Sequence, residues 1–101
     1  MEINGPIDAQ RLDNFMKQLR WIWDSDDGLI LELMTQGGDA DIARRIALEI
    51  RIFQAYAATA AYVIGKTAVM SAGVTVLSGF NCKNRFLTAD ATKGPWYCKD
   101  P

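Results

Sequence analysis

The spacing of apolar residues along the first half of the chain predicts two long amphipathic helices. Between Leu12 and Trp23, apolar side chains recur every three or four residues, which is the spacing of one helix face. Asp8 precedes this segment as a candidate N-cap, because its carboxylate can accept the free N–H groups of a first helical turn. The same spacing returns between Ile42 and Phe53. We therefore expect two helices, each with one buried stripe.

Short apolar runs bounded by turn residues predict the strands. The run at 29–34 lies between an Asp-rich, Gly-ending loop and a pair of glycines, which is typical of a buried strand. Further extended pieces are expected at 2–4, 60–64, 67–70 and 85–87, with a third helix over 71–80. Strand and helix alternate, so the predicted fold class is α/β with a mostly parallel sheet.

Length and composition favour one small domain. The chain has 101 residues, and half of them are apolar, so it can bury a core. The last ten residues, TKGPWYCKDP, break the alternation of strand and helix, and Gly94-Pro95 should interrupt any strand there. We expect a domain over residues 1–91 and an atypical tail over residues 92–101.

Charge and residue content exclude several classes of function. The net charge is −1, from 11 basic and 12 acidic residues, which gives no electrostatic signature for nucleic acid or an anionic membrane. There is no histidine, the usual zinc ligand and general base, and we predict neither a metal nor a cofactor. No signal-peptide pattern or membrane-length apolar run is present, so a cytoplasmic location is expected. Cys82 and Cys98 form no CxxC pair, and reduced thiols are expected, with a disulfide as the alternative.

Two adjacent glycines, Gly37 and Gly38, stand between the predicted strand at 29–34 and the second helix. They could simply form a tight turn with positive φ. A phosphate-binding loop is disfavoured, because the segment lacks the GK[ST] and GxGxxG patterns and Asp39 would repel an anion. A third hypothesis is an oxyanion hole, in which a backbone N–H stabilises a developing alkoxide.

An oxyanion hole needs a nucleophile, and the candidate is Ser71 in the segment VMSAGV. Ser71 is predicted to lie where an extended piece gives way to a helix, followed by the small residues Ala72 and Gly73. The segment is half of a GxSxG nucleophile elbow, since Val69 replaces the first glycine. The alternative is that Ser71 only caps the helix.

Four blocks of sequence, in this order, resemble the Clp protease proteolytic subunit family within the ClpP/crotonase superfamily. They are INGPID at 3–8, LELMTQGGDADIARRI at 31–46, AAYVIGKTAVMSAG at 60–73 and GFNCKNRFLTADA at 79–91. The second block has Thr35-Gln36 where the family has Ser-Pro. The resemblance covers roughly residues 2–91 and implies the front half of a spiral of β-β-α units.

The resemblance implies a serine-type endopeptidase site that acts on peptides or proteins. Ser71 would be the nucleophile, and the backbone N–H groups of Gly38 and Ala72 would form the oxyanion hole. A side chain at position 38 would then obstruct the approach of the substrate carbonyl. The family also implies stacked rings, here a homo-oligomer or a mixed ring, and an ATPase as an optional partner.

The chain departs from the family at the catalytic base. The position of the family's histidine falls near Trp96, in the sequence GPWYC, and the family's catalytic acid would come after Pro101. We therefore expect a subunit or fragment truncated before the histidine and inactive alone, because serine is a weak nucleophile without a base. Two alternatives stay open, namely a non-catalytic ring partner and a crotonase-type acyl-CoA enzyme.

A lysine base would be a way around the missing histidine, as in signal peptide peptidases of the Ser–Lys type. Lys66 and Lys83 are the nearest candidates in sequence, but a structural or surface role is expected for both. Asp90 follows a predicted strand, yet it would have no histidine to orient.

Overall fold

A parallel sheet of four strands, with helices between the strands in sequence, forms the fold of the computed structural model, which describes residues 1–91. The strands are β1 (Glu2–Asn4), β2 (Leu29–Thr35), β3 (Ala61–Val69) and β4 (Arg85–Leu87). The helices are α1 (Ala9–Ser25), α2 (Ala40–Tyr56), α3 (Ala72–Leu77) and a short 3-10 helix (Cys82–Asn84). This arrangement confirms the predicted α/β class and the parallel sheet.

The core lies between one face of the sheet and the helices. The strands follow one another across the sheet in the order β1-β2-β3-β4, so right-handed crossovers bring all the connecting helices to one face. Alternate residues of β2 are fully buried on that face, namely Leu29, Leu31 and Leu33. On the opposite face Ile30 and Tyr62 are exposed. This two-layer arrangement explains the burial of alternate residues along β2.

The local signals for the two long helices are confirmed. Asp8 caps α1, since its carboxylate accepts a hydrogen bond from the Arg11 N–H at 2.9 Å. Asp39 caps α2 in the same way, through bonds from the N–H groups of Asp41 and Ile42. The apolar stripe of α2 includes Phe53, which is buried and packs edge-to-face against the Trp23 ring.

Two expectations about the third strand and third helix need correction. The extended pieces at 60–64 and 67–70 are one strand, β3, interrupted by a bulge. Leu33 pairs with Gly65 and Thr35 pairs with Val69, so β3 has two more residues than β2 between the same pairs. The third helix spans only Ala72–Leu77 rather than 71–80.

The expectation of a reduced thiol is wrong for Cys82, which is disulfide-bonded. Cys98 lies outside the described residues, as do Trp96 and the rest of the predicted tail at 92–101. None of the helices in the described part of the chain has the length and apolar character needed to cross a membrane.

Candidate active site

Ser71 forms a sharp, strained turn between β3 and α3. Its φ of 52° and ψ of −120° lie outside the regions that a residue with a side chain normally adopts. Such a backbone costs about 1–3 kcal/mol and is found mainly at functional sites. Ser71 is exposed and occupies the N-cap position of α3, but its side chain makes no capping hydrogen bond. Helix capping therefore does not explain this serine.

Backbone hydrogen bonds on both sides hold the Ser71 turn. The Met70 N–H donates to the Thr35 carbonyl at 3.1 Å, which fixes the end of β3 to the end of β2. The Val74 N–H donates to the Ser71 carbonyl at 3.0 Å, which starts α3. Ala72 is the first residue of α3, and its N–H has no backbone acceptor within residues 1–91. The first amide of α3 is thus an unused backbone donor directly after Ser71.

The turn that contains Gly38 is tied to the segment before α1. The Ile7 N–H donates to the Gly37 carbonyl at 2.9 Å, and the Asp39 N–H donates to the Ile7 carbonyl at 2.8 Å. These two bonds form a parallel β-bridge between Ile7 and Gly38. Because Gly37 and Asp39 make the bonds, the N–H of Gly38 itself faces away from Ile7. It has no hydrogen-bond acceptor within the described residues. The Gly38 N–H is therefore unpaired within residues 1–91.

The two glycines serve different purposes. A Cβ added at Gly37 would lie 2.8 Å from the Ser71 Cβ and 3.3 Å from its Oγ, so the glycine turn and the serine turn are direct neighbours. A Cβ added at Gly38 would instead lie 2.3 Å from the Ile7 carbonyl oxygen. Clearance beside Ser71 thus comes from Gly37, a role that the sequence analysis did not assign. That a side chain at position 38 would obstruct a substrate carbonyl stays a prediction. Gly37 and Gly38 have different neighbours because Gly38 is in register with Ile7, and a single sequence does not show that register.

The two lysines considered as bases do not have the environment that a base needs. The Lys66 ammonium lies 2.5 Å from a Glu32 carboxylate oxygen. This hydrogen bond and the charge of Glu32 raise the pKa of Lys66, while the same contact lowers the pKa of Glu32. Lys66 therefore stays protonated around neutral pH. Lys83 is exposed on the short 3-10 helix.

Asp90 binds the bulge of β3 rather than a catalytic group. Its carboxylate accepts hydrogen bonds from the hydroxyl groups of Thr88 at 2.5 Å and Thr67 at 2.8 Å. These bonds, that of Thr88 first, lower the pKa of Asp90. Thr67 is the bulge residue with a φ of 57°. The Asp90 side chain thus stabilises an unusual backbone conformation four residues before Ser71.

Solved structures share this arrangement of strands, helices and turns. ClpP1 from Listeria monocytogenes and a point mutant of it each superpose with a TM-score of 0.80 at 25% sequence identity. The chain has a ClpP-like peptidase fold. The match covers 90% of this chain but only 52% of ClpP1, so the ClpP-like chain spans about half the length of that protein. This confirms the family resemblance and the partial ClpP/crotonase-like spiral inferred from the sequence.

A third solved structure shares the fold alone. A mutant of a membrane-bound stomatin-specific protease superposes with a TM-score of 0.71 at 21% identity, over 89% of the ClpP-like chain and 42% of its own. No protein-family model matches the chain, and no curated protein matches it either. The similarity to known proteins therefore rests on the comparison of three-dimensional structures. The roles of Ser71, Gly38 and Ala72 stay predictions.

Proposed function

We propose that the chain carries the nucleophile and the oxyanion hole of a ClpP-like serine peptidase. Ser71 would supply the nucleophilic Oγ, and the N–H groups of Gly38 and Ala72 would bind the oxygen of the tetrahedral intermediate. These residues include no base, because the sequence contains no histidine and Lys66 is paired with Glu32.

The strained backbone of Ser71 is the observation that carries this proposal. A serine that only capped a helix would use ordinary extended backbone and bond to an N–H of the first turn. Ser71 does neither, since it has a φ of 52° and an exposed side chain with no capping bond. A strained strand-to-helix turn is how nucleophile elbows expose their hydroxyl. The strain also favours a peptidase over an acyl-CoA enzyme of the crotonase type, which needs no serine nucleophile.

Free amide donors beside a serine that has no base support acyl transfer in which attack by the Ser71 hydroxyl is slow. Free amides at the start of α3 and in the glycine turn are fixed donors for a developing oxyanion, and such donors contribute about 10²–10³ in rate each. Loss of the histidine base from a serine peptidase costs on the order of 10⁶ in kcat. We therefore expect the ClpP-like chain by itself to be a very poor peptidase whose serine still reacts with activated acyl groups.

Partners and location belong to the same proposal and rest on the resemblance. The proposed substrates are peptides or proteins, and the proposed assembly is a homo-oligomer or a mixed ring, with an ATPase as an optional partner in the cytoplasm. Several large apolar side chains are exposed, with Trp21 at 76% and Tyr56 at 80%. Exposed apolar side chains mark subunit contacts where they form a contiguous patch. A non-catalytic ring partner is the second candidate, favoured by the absence of histidine.

The test is covalent acylation of the full chain by p-nitrophenyl acetate at mildly alkaline pH. The Ser71 Oγ would attack the ester carbonyl carbon and lose its proton to solvent, and p-nitrophenolate would leave to give acetyl-Ser71. Peptide mass spectrometry then compares acetylation of Ser71 with that of Ser25 and Ser78. Ser71 should react at least about tenfold faster than the other two, because only it lies beside free amide donors.

Ser78→Ala is the matched control, since Ser78 is exposed just after the other end of α3 and its hydroxyl donates to the Thr75 carbonyl. This variant should leave Ser71 acetylation unchanged, and Ser71→Ala should abolish the fast-reacting site. Equal acetylation of the three serines would refute the proposed nucleophile and favour the non-catalytic candidate.

A further inference from the structure

We propose that Thr35, the last residue of β2, is the positioning residue that fixes the distance between the glycine turn and the Ser71 turn. The proposal rests on the proposed function, because it concerns how the Gly38 amide and the Ser71 hydroxyl face one substrate carbonyl. Thr35 does not touch the substrate in this scheme and acts through the backbone of both turns.

The Thr35 hydroxyl holds the glycine turn from inside. Its Oγ1 accepts a hydrogen bond from the Gly37 N–H at 3.1 Å and donates one to the Gly37 carbonyl at 3.2 Å. Within residues 1–91, Thr35 has the one polar side chain that is buried, with 2% of its surface exposed. A buried hydroxyl is rarely retained without bonds that use it. Here both of its bonding functions go to the residue just before Gly38.

The rest of Thr35 holds the serine turn. Its carbonyl accepts the Met70 N–H at 3.1 Å, one residue before Ser71. Its Cγ2 packs against Gly73, because a Cβ added at Gly73 would lie only 2.4 Å from that methyl carbon. Thr35 also pairs with Val69 where the bulge of β3 ends. One residue therefore contacts the backbone on both sides of the proposed oxyanion hole.

The hydroxyl and the methyl group of Thr35 can be removed separately. Thr35→Val retains the branched shape and the contact with Gly73, but it leaves the buried Gly37 N–H without its acceptor. Thr35→Ser loses the methyl contact with Gly73 but retains both hydroxyl bonds to Gly37 and the backbone bond from Met70, so both turns stay bonded to residue 35. A structural role alone would make both variants fail in proportion to their loss of stability. A positioning role predicts that Thr35→Ser, which keeps the hydroxyl, preserves the geometry of the site and that Thr35→Val does not.

The experiment measures acetylation of Ser71 by p-nitrophenyl acetate, together with thermal unfolding, in the full chain. Thr35→Val should slow acetylation by about tenfold or more at temperatures where it is fully folded, because small displacements of catalytic groups reduce rates steeply. Thr35→Ser should stay within about threefold of the wild type. Thr75→Val is the matched control, since Thr75 is half-buried on α3 and its hydroxyl has no hydrogen bond within the described residues. It should react like the wild type.

A second readout keeps this inference separate from the proposed function. In ¹⁵N NMR spectra, Thr35→Val should shift the amide signals of Gly38 and Ala72, whereas Thr35→Ser should leave these signals close to their wild-type positions. Wild-type acetylation without preference for Ser71 would refute the proposed function, and the amide signals would then decide the role of Thr35. The inference is overturned if Thr35→Val leaves these amide signals unchanged. It is also overturned if Thr35→Ser shifts the signals as much as Thr35→Val does. If Ser71 is reactive in the wild type, an equal loss of acetylation rate in the two variants would overturn it as well.

Discussion

Replacement of Gly38 by alanine tests whether the glycine turn is held by backbone contact with Ile7. The added Cβ would lie 2.3 Å from the Ile7 carbonyl oxygen and 2.7 Å from its nitrogen, both rigid backbone atoms. Gly38 also has a φ of 150°, which residues with a side chain rarely adopt. Alanine therefore cannot occupy this position unless the Ile7 and Gly38 segments move apart.

The expected loss of stability follows from the contacts that this movement would break. The unfavourable φ costs about 1–3 kcal/mol for alanine. Separation of the segments weakens the bonds between Ile7 and the residues on either side of Gly38, each contributing about 0.5–1.5 kcal/mol. Alanine also lowers the conformational entropy of the unfolded chain, which offsets about 0.4–1 kcal/mol of this loss of stability. The net loss is about 3 kcal/mol, a large part of the roughly 5–15 kcal/mol that stabilises a typical domain.

The assay is urea unfolding followed by circular dichroism. With a slope of about 1.5 kcal/mol per molar urea, the midpoint should fall by about 2 M. Gly28→Ala is the matched control, because Gly28 has no positive φ and its added Cβ would meet only the Ala60 carbonyl, at 3.2 Å. This control should lose less than about 1 kcal/mol, because the lower conformational entropy of its unfolded chain offsets the close contact. A Gly38→Ala midpoint as close to the wild type as that of Gly28→Ala would refute the account.

Two further predictions concern the charged groups around the site. Lys66→Met should leave Ser71 acetylation within about twofold of the wild type, because an ammonium paired with Glu32 does not act as a base; a loss as large as that of Ser71→Ala would revive a Ser–Lys mechanism. The pKa of Asp90 is lowered below its ordinary value of 3.8, so its stabilising bonds are fully present above that pH and are lost as the pH falls through the folded pKa. The wild type should therefore melt at a higher temperature than Asp90→Asn near neutral pH and lose that advantage in acid; a pH-independent difference would contradict this.

Local signals in the sequence predicted most of the secondary structure. Asp8, the apolar stripes and the run at 29–34 act within a few residues of one another, and the structure has α1, α2 and β2 where they were expected. The bulge in β3 was missed because Thr67 adopts its φ of 57° through bonds to Thr88 and Asp90, about twenty residues away. A sequence window does not contain such a partner, so it shows an interruption and not its cause.

The candidate site divides in the same way. The sequence alone determined that a serine with small neighbours follows an extended segment, that two glycines follow an earlier one, and that no histidine is present. Only the tertiary structure decided that Gly37 clears the space beside Ser71, that Gly38 contacts Ile7, and that a buried Thr35 joins the two turns. The physical reason is that helix caps and apolar stripes act over one or two turns of the chain. Close approach of two backbone segments depends on strand register, which is set by the whole sheet.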